Sequence, residues 1–214
     1  MQIDLDDRAI NRLQDAVHRL AEATAGRSRT GVTHHDADDE FGTAATDDAI
    51  GFNPFPLLRA LDEAGVQAVV IGQVAGIMHG SRELTGDLDL LWDGRAVNAQ
   101  AMADAFTGVG ATLTDDDDRP LDSTAEVFGL PKVLFRTEQA SGDCCTPALP
   151  WGSLEVGRYL DRCHVGTAQD GFKIFYLGRE DLITMRRAVG RPKDLRRADE
   201  LAGMASAGQT LPRS

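Results

Sequence analysis

The residues best suited to chemistry in this sequence are two aspartates, Asp87 and Asp89, which flank one leucine at the start of an apolar run. If residues 87–92 form a strand, alternation places both carboxylates on one face, roughly 7 Å apart along the backbone. Magnesium takes oxygen ligands and is often held by one or two carboxylates together with substrate phosphates. The pair is suited to a site for Mg²⁺ or Mn²⁺, although a bare Asp-x-Asp is very common and, taken alone, is more typical of a strand end with two solvated acids.

A glycine and a serine, Gly80 and Ser81, precede the aspartates by a few residues. Their backbone N–H groups and the hydroxyl could receive a phosphate. The residues before them predict a buried strand over 66–71 and a short helix over 73–79, which would deliver this loop to the aspartates. Metal and phosphate sites would then adjoin each other.

Residues 70–81 and 85–91 together resemble the nucleotidyltransferase superfamily. The likeness is greatest to its small prokaryotic branch, which includes nucleotidyltransferase-like toxins of type IV toxin-antitoxin and abortive-infection systems. Residues 178–195 look like the helical pair that follows the sheet in that branch. The resemblance covers about residues 57–201 and not the segment before them.

This resemblance implies a nucleotidyltransferase-type mixed sheet flanked by helices, in which three carboxylates hold Mg²⁺ or Mn²⁺. An acceptor hydroxyl or phosphate would attack the α-phosphorus of a nucleoside triphosphate and release pyrophosphate. Carried over by position, the catalytic and metal-binding residues are Asp87, Asp89 and Asp143, and the nucleotide-binding residues are Gly80, Ser81, Arg186 and Lys193.

The third carboxylate is the least certain match. The family pattern would set Cys145 at that position, and Asp143 is the nearest acid on the predicted strand 143–146. Alternation puts both side chains on one face, so a slip or bulge could bring Asp143 to the metal. A thiol is a poor ligand for a hard cation. If Asp143 is the third ligand, we expect an active enzyme. If Cys145 holds that position, we expect feeble activity.

The expected function is transfer of a nucleoside monophosphate to an RNA or protein acceptor, with a toxin role implied by the branch. The expected partners are a nucleoside triphosphate and either tRNA or an antitoxin protein. The sequence departs from the family pattern at three positions, which leaves alternative functions open. It has Gln73 in place of a second glycine, Glu83 in place of an arginine and Arg186 in place of a lysine. The alternatives are a pseudoenzyme that binds nucleotide or a partner, and a small-molecule transferase of the aminoglycoside-modifying kind.

Composition limits the remaining classes. A net charge of −12 argues against a protein that coats DNA, although seven of the 22 basic residues fall within 179–197 and could form one local basic face. No apolar run reaches the ~18 residues of a membrane span, and the acidic start lacks secretory features, so we expect a cytoplasmic protein. The three cysteines fit neither a disulfide framework nor a zinc pattern.

The order of predicted elements gives an α/β (α+β) protein with a mixed sheet. We expect an amphipathic helix over 1–23, an acidic flexible linker over 24–50, a nucleotidyltransferase-like domain over 51–205 and a tail over 206–214. His34, His35 and Asp36 lie in the predicted linker, where a metal cluster would lack fixed geometry. Other predicted strands are 126–128, 133–137, 143–146 and 173–177, and the predicted C-terminal helices are 180–189 and 193–204.

Overall fold

The computed structural model describes residues 7–33 and 42–207, which form a mixed α/β structure around one eight-stranded sheet. The α-helices in this part of the chain are α1 (Asp7–Thr24), α2 (Phe55–Glu63), α3 (Gly72–Met78), α4 (Ala96–Gly108), α5 (Gly157–Asp161), α6 (Arg179–Val189) and α7 (Pro192–Ala207). The strands are β1 (Val69–Val70), β2 (Leu90–Leu91), β3 (Thr112–Thr114), β4 (Pro120–Leu121), β5 (Lys132–Arg136), β6 (Ser141–Cys145), β7 (His164–Thr167) and β8 (Lys173–Tyr176). The predicted α/β class and mixed sheet are confirmed.

The sheet runs in the order β4-β3-β5-β6-β2-β1-β8-β7. β2 pairs in parallel with β6, and β1 with β8, whereas the other neighbouring strands are antiparallel. The strands β1 and β2 are apolar on both faces and fully buried, as expected for strands covered by other elements. This order places β2, which follows the paired aspartates, directly beside β6.

Helices pack around the sheet and bring distant parts of the chain to its centre. The apolar stripe of α1, including Ile10 and Leu13, is buried against α3 and β7, so this helix packs on the body of the protein. The C-terminal helices α6 and α7 pack on each other, and α6 also contacts α3. None of the helices in the described ranges combines the length and apolar character needed to span a bilayer.

The predicted strand at 126–128 is wrong, because this stretch forms a 3-10 turn over Val127–Gly129. Phe128 is buried there with its ring centroid 4.8 Å from that of Phe106, so packing onto α4 replaces strand pairing. The strands β3, β4 and β7 were not predicted. Each has two to four residues, too few to show a clear period of two.

Residues 42–50 also differ from the flexible linker that composition predicted. They carry a 3-10 turn at Asp47–Ala49, and Thr43, Thr46, Asp47 and Asp48 are buried. Their polar groups find partners within the fold, which offsets the entropy lost on ordering. The predicted tail beyond residue 207 and the tract with His34, His35 and Asp36 lie outside the described residues.

Candidate metal and phosphate site

Asp87 and Asp89 enter the site from the backbone that leads into β2. The Leu88 N–H donates to the Ser141 carbonyl over 2.9 Å, and the Ile71 N–H donates to the Asp89 carbonyl over 2.9 Å. These bonds fix the segment between β6 and β1. Leu88 and Leu90 are buried on the opposite face, so alternation directs both aspartates into one cavity of about 350 Å³.

Asp143 lines the same cavity, and strand register explains why. β2 and β6 are parallel, with Leu90 opposite Cys144 and Leu91 opposite Cys145. One residue earlier on each strand, Asp89 and Asp143 lie side by side and share a face. The predicted third ligand is therefore level with Asp89, whereas Cys145 lies two residues further along β6 on the same face and also lines the cavity.

Two carboxylate oxygens in this cavity lack donors. Asp87 Oδ1 and Asp143 Oδ1 are buried, and neither accepts a hydrogen bond from any described residue. Burial raises the pKa of Asp87 well above its ordinary value, and the charges of Asp89, Asp143 and Asp48 raise it further, against an opposing effect of Lys193. The carboxylates are thus close enough to repel one another in the absence of a cation.

Cys145 behaves as a neutral thiol in this environment. Burial raises the pKa of Cys145 strongly, and the nearby carboxylate of Asp143 adds to the shift. Sulfur is also a soft ligand, so this cysteine is poorly suited to a hard cation such as Mg²⁺. Asp143 is the side chain that fits the third position.

The donor set fits a divalent cation such as Mg²⁺ or Mn²⁺. Asp87, Asp89 and Asp143 would hold it, since hard cations prefer carboxylate oxygens and would neutralise the two oxygens that lack donors. Across residues 7–33 and 42–207, no group of three or more His, Cys, Asp or Glu side chains is placed so that it could hold a metal ion as it stands. The carboxylates would have to close on the ion.

The turn after β1 provides a close approach of backbone to carboxylate. Gly72 has φ of +61°, and a Cβ placed on it would lie 1.8 Å from Asp89 Oδ2. Only glycine fits this left-handed, crowded position. Gly72 and Gln73 line the cavity, so the turn that faces the aspartates is at the start of α3.

Gly80 and Ser81, the predicted phosphate contacts, are not among the residues that line the cavity. The Ser81 hydroxyl is buried, donates to Glu200 Oε2 over 2.6 Å and accepts from Gln73 Nε2 over 3.0 Å. The seven residues of α3 separate this loop from Gly72, about 10 Å of helix. A phosphate at Ser81 would also face the carboxylate of Glu200, so the structure does not support that assignment.

Arg186 lines the cavity but is engaged inside the protein. Its Nη1 donates to the Arg197 carbonyl over 3.1 Å, and its Nη2 donates to the Gly72 carbonyl over 3.0 Å and to Gln73 Oε1 over 2.7 Å. Burial, with the neighbouring charge of Arg197, lowers the pKa of Arg186 to about 10. This arginine joins α6 to the Gly72 turn, which is a different role from the predicted triphosphate contact.

Glu83, which departs from the family pattern, is neutralised by α7. Arg197 contacts Glu83 Oε1 through Nε at 2.8 Å and through Nη2 at 2.5 Å, and Arg196 lies 3.4 Å from Glu83 Oε2. The acid therefore holds the loop before Asp87 to the C-terminal helix. Its charge is compensated by these two arginines.

The remaining walls of the cavity divide into a basic and an apolar part. Lys193, a predicted nucleotide contact, lines the cavity and acts electrostatically on Asp87. Lys132 also lines the cavity and was not predicted. Its burial opposes the charged form, but the hydrogen bond to Asp116 and the charge of Asp143 outweigh that effect and raise the pKa of Lys132. The cations that line the cavity are Lys132, Arg186, Arg191, Lys193 and Arg197, and the apolar residues are Ile71, Leu149, Trp151, Leu182, Met185 and Val189.

Trp151 is the aromatic residue of the apolar wall, and no sequence pattern indicated it. Its indole N–H donates to the Thr146 carbonyl over 2.9 Å, which fixes the ring just beyond the end of β6. Its position in the cavity depends on the β2–β6 pairing that brings residues 146–151 to the aspartates.

Comparison of the chain with protein-family models and with curated protein sequences gave no match.

Proposed function

We propose that the protein is a metal-dependent nucleotidyltransferase with a nucleotidyltransferase-type fold, which moves a nucleoside monophosphate from a triphosphate to an RNA or protein acceptor. The observation that carries the proposal is the pair of buried, donor-less oxygens, Asp87 Oδ1 and Asp143 Oδ1, in one cavity with Asp89. A buried oxygen that accepts no hydrogen bond lowers the stability of the fold, unless a bound ligand interacts with that oxygen.

The composition of the walls supports a nucleotide as the ligand. Carboxylates suited to a cation face the same space as Lys132, Lys193 and Arg191, which suit phosphate oxygens. The apolar wall at Trp151 suits the flat face of a nucleobase. A triphosphate, its cation and a base together require all three kinds of surface.

In the proposed reaction, Asp87, Asp89 and Asp143 bind and orient the divalent cation. Bound Mg²⁺ supplies neutralisation of the phosphate charge. Lys193 and Arg191 hold phosphate oxygens and keep the triphosphate facing the carboxylates. The acceptor oxygen forms a bond to the α-phosphorus, and the proton of an acceptor hydroxyl passes to solvent water. The bond from that phosphorus to the bridging oxygen breaks, and pyrophosphate leaves.

A nucleotide-binding protein that performs no transfer is the second candidate, and the position of Ser81 favours it. The hydroxyl predicted to bind phosphate is bonded to Glu200 outside the cavity. One contact implied by the family likeness is therefore missing. Binding without transfer would be the expected behaviour of such a protein.

Labelled triphosphates separate these functions. With Mn²⁺, α-³²P-labelled nucleotides should label total tRNA or a protein acceptor, and γ-³²P-labelled nucleotides should label neither, because pyrophosphate leaves. Asp87→Asn and Asp89→Asn should abolish labelling, while Asp117→Asn, at an exposed site, should retain it. An aminoglycoside panel tests the small-molecule alternative. Binding without labelling of any acceptor would favour the second candidate, and absence of metal-dependent nucleotide binding would refute both.

A further inference from the structure

The segment formed by residues 42–49 lies directly against the loop that carries Asp87. A Cβ placed on Gly86 would lie 2.5 Å from the backbone nitrogen of Ala49 and 2.8 Å from the carbonyl carbon of Asp48. Both of those atoms belong to backbone, so no side-chain movement could relieve the contact. The 42–49 segment and the residue before Asp87 are therefore packed main chain on main chain.

Hydroxyl groups join the same two segments. The Thr43 and Thr85 hydroxyls lie 2.7 Å apart, and the Gly86 N–H donates to Thr43 Oγ1 over 3.1 Å. The Asp87 N–H donates to Thr85 Oγ1 over 3.3 Å. Thr43 also lines the cavity. The backbone of Asp87 is thus held through Thr85 by a residue of the 42–49 segment.

Asp48 is the acid of the 42–49 segment that forms an ion pair with a strand of the sheet. Its side chain is fully buried, and it forms an ion pair with Arg136 Nη1 at 2.6 Å. Arg136 ends β5 and pairs in register with Ser141, the first residue of β6. Asp48 therefore connects the Asp87 loop to the strand pair that carries Asp143, and its charge is among those that act on Asp87.

The neighbouring acid, Asp47, points the other way. It accepts from the Thr30 N–H at 2.9 Å and from the Gly31 N–H at 2.7 Å, so it ties the segment to the chain that follows α1. Asp47 and Asp48 are both buried, yet only Asp48 contacts the elements of the site. The chain thus provides a matched pair of acids, one tied to the chain after α1 and one tied through Arg136 to the strands beside the carboxylates.

We propose that Asp48 is a positioning residue for the carboxylates of the candidate metal site, and that the 42–49 segment is a working part of that site. This inference rests on the proposed metal site. Asp48 adds negative charge beside Asp87 and, through Arg136, fixes the spacing between the Asp87 loop and β6. Groups that orient metal ligands in this way commonly change metal affinity by about 10- to 100-fold when they are replaced.

Calorimetric titration of the full chain with Mn²⁺ tests the proposal. Asp48→Asn is expected to weaken Mn²⁺ binding roughly tenfold, and Asp47→Asn is expected to lower the unfolding temperature while leaving the Mn²⁺ dissociation constant unchanged. Asp48→Glu, which keeps the charge, should recover part of the lost affinity. Equal Mn²⁺ affinity in the parent and Asp48→Asn, or equal losses in Asp47→Asn and Asp48→Asn, would overturn the proposal.

Thr43→Val provides a second variant in case Asp48→Asn does not fold. It keeps every charge and nearly the same shape, but removes the hydroxyl that contacts Thr85 and Gly86. Weaker Mn²⁺ binding is expected, and parent-like binding would count against the 42–49 segment. If the parent protein itself fails to bind Mn²⁺, the proposed function fails; if the parent binds and these variants match it, only this inference fails.

Discussion

Replacement of Asp87 by asparagine is expected to stabilise the metal-free protein while it removes metal binding. The Asp87 carboxylate has a buried oxygen that accepts no hydrogen bond from the described residues, and three acidic neighbours act on it against one cation, Lys193. Asparagine keeps the shape, removes the charge and offers an N–H₂ group to the neighbouring carboxylates. Sites that keep repulsive charges for function are commonly improved in stability when one charge is removed.

Coulomb's law sets the magnitude. Two like charges 4 to 8 Å apart repel by about 2 to 4 kcal/mol at an effective dielectric constant of 20. Lys193 cancels part of this repulsion, and water in the open cavity screens more of it. We therefore expect Asp87→Asn to raise the free energy of unfolding by about 1 to 2 kcal/mol at pH 7. Asp117→Asn, at a carboxylate that is 66% exposed, should change it by less than about 1 kcal/mol.

The gain should depend on pH with a definite sign. The folded-state pKa of Asp87 is raised above the ordinary value of 3.8, so the folded protein holds this proton more tightly than the unfolded chain does. The group's contribution to stability is therefore present at low pH and is lost as pH rises through the folded-state pKa. The advantage of Asp87→Asn over the parent should shrink as the pH is lowered from 7 toward 4.

Urea denaturation followed by circular dichroism measures these differences, first in EDTA and then in Mn²⁺. A ligand at 100 times its dissociation constant stabilises the folded state by about 2.7 kcal/mol. The parent should therefore overtake Asp87→Asn when Mn²⁺ is present. If Asp87→Asn is less stable than the parent in EDTA, the carboxylates are not repelling one another and the electrostatic account of the site is wrong.

Two further predictions concern Arg186 and the third carboxylate. Arg186→Met removes three hydrogen bonds, two of them buried, and should lower the free energy of unfolding by about 3 kcal/mol. Arg187→Met, which loses an exposed contact to Asp199 at 3.5 Å, should change it by less than about 1 kcal/mol in the same urea assay. Asp143→Asn should weaken Mn²⁺ binding by calorimetry while Cys145→Ser leaves it unchanged; the opposite ranking would make Cys145 the ligand.

Local alternation was sufficient to predict the acidic side of the site. Asp87 and Asp89 share a face because one residue separates them, and the structure agrees. Alternation could not distinguish Asp143 from Cys145 as the third ligand. That distinction depends on the register of β6 against β2, and these strands lie more than fifty residues apart in the chain. No local pattern encodes that register.

The basic and polar residues were predicted less well, for a related reason. Ser81 was assigned to phosphate from its neighbours in sequence, but its partner is Glu200 on α7, 119 residues away. Arg186 has the charge expected of a phosphate contact, yet its donors are used by carbonyls and by Gln73. A residue type indicates what a side chain can bind, and packing decides which partner it meets.

The prediction of a flexible linker, which rested on composition, differed most from the structure over residues 42–50. A tract that is rich in Thr, Asp and Ala buries little apolar surface, which predicts disorder. The tract is ordered here because its acids meet specific donors, the Thr30 N–H for Asp47 and the guanidinium of Arg136 for Asp48. Polar groups with matched partners can hold a segment that apolar burial alone could not.

The distribution of satisfied and unsatisfied polar atoms separates the structural from the proposed functional parts of the cavity. Gln73 and Arg186 line the cavity, and each is bonded to protein partners within 3.0 Å, as is Glu83 on the loop before Asp87. Asp87 Oδ1 and Asp143 Oδ1 are equally buried, and no described residue donates to them. A core selected for stability alone would gain from apolar or amide side chains at these two positions. Among the residues that line the cavity, these two oxygens are the buried side-chain atoms without a described partner, whereas the other two such atoms, Ser141 Oγ and Arg179 Nε, belong to residues outside the lining. This placement supports the proposed cation, and Asp87→Asn tests that reasoning directly.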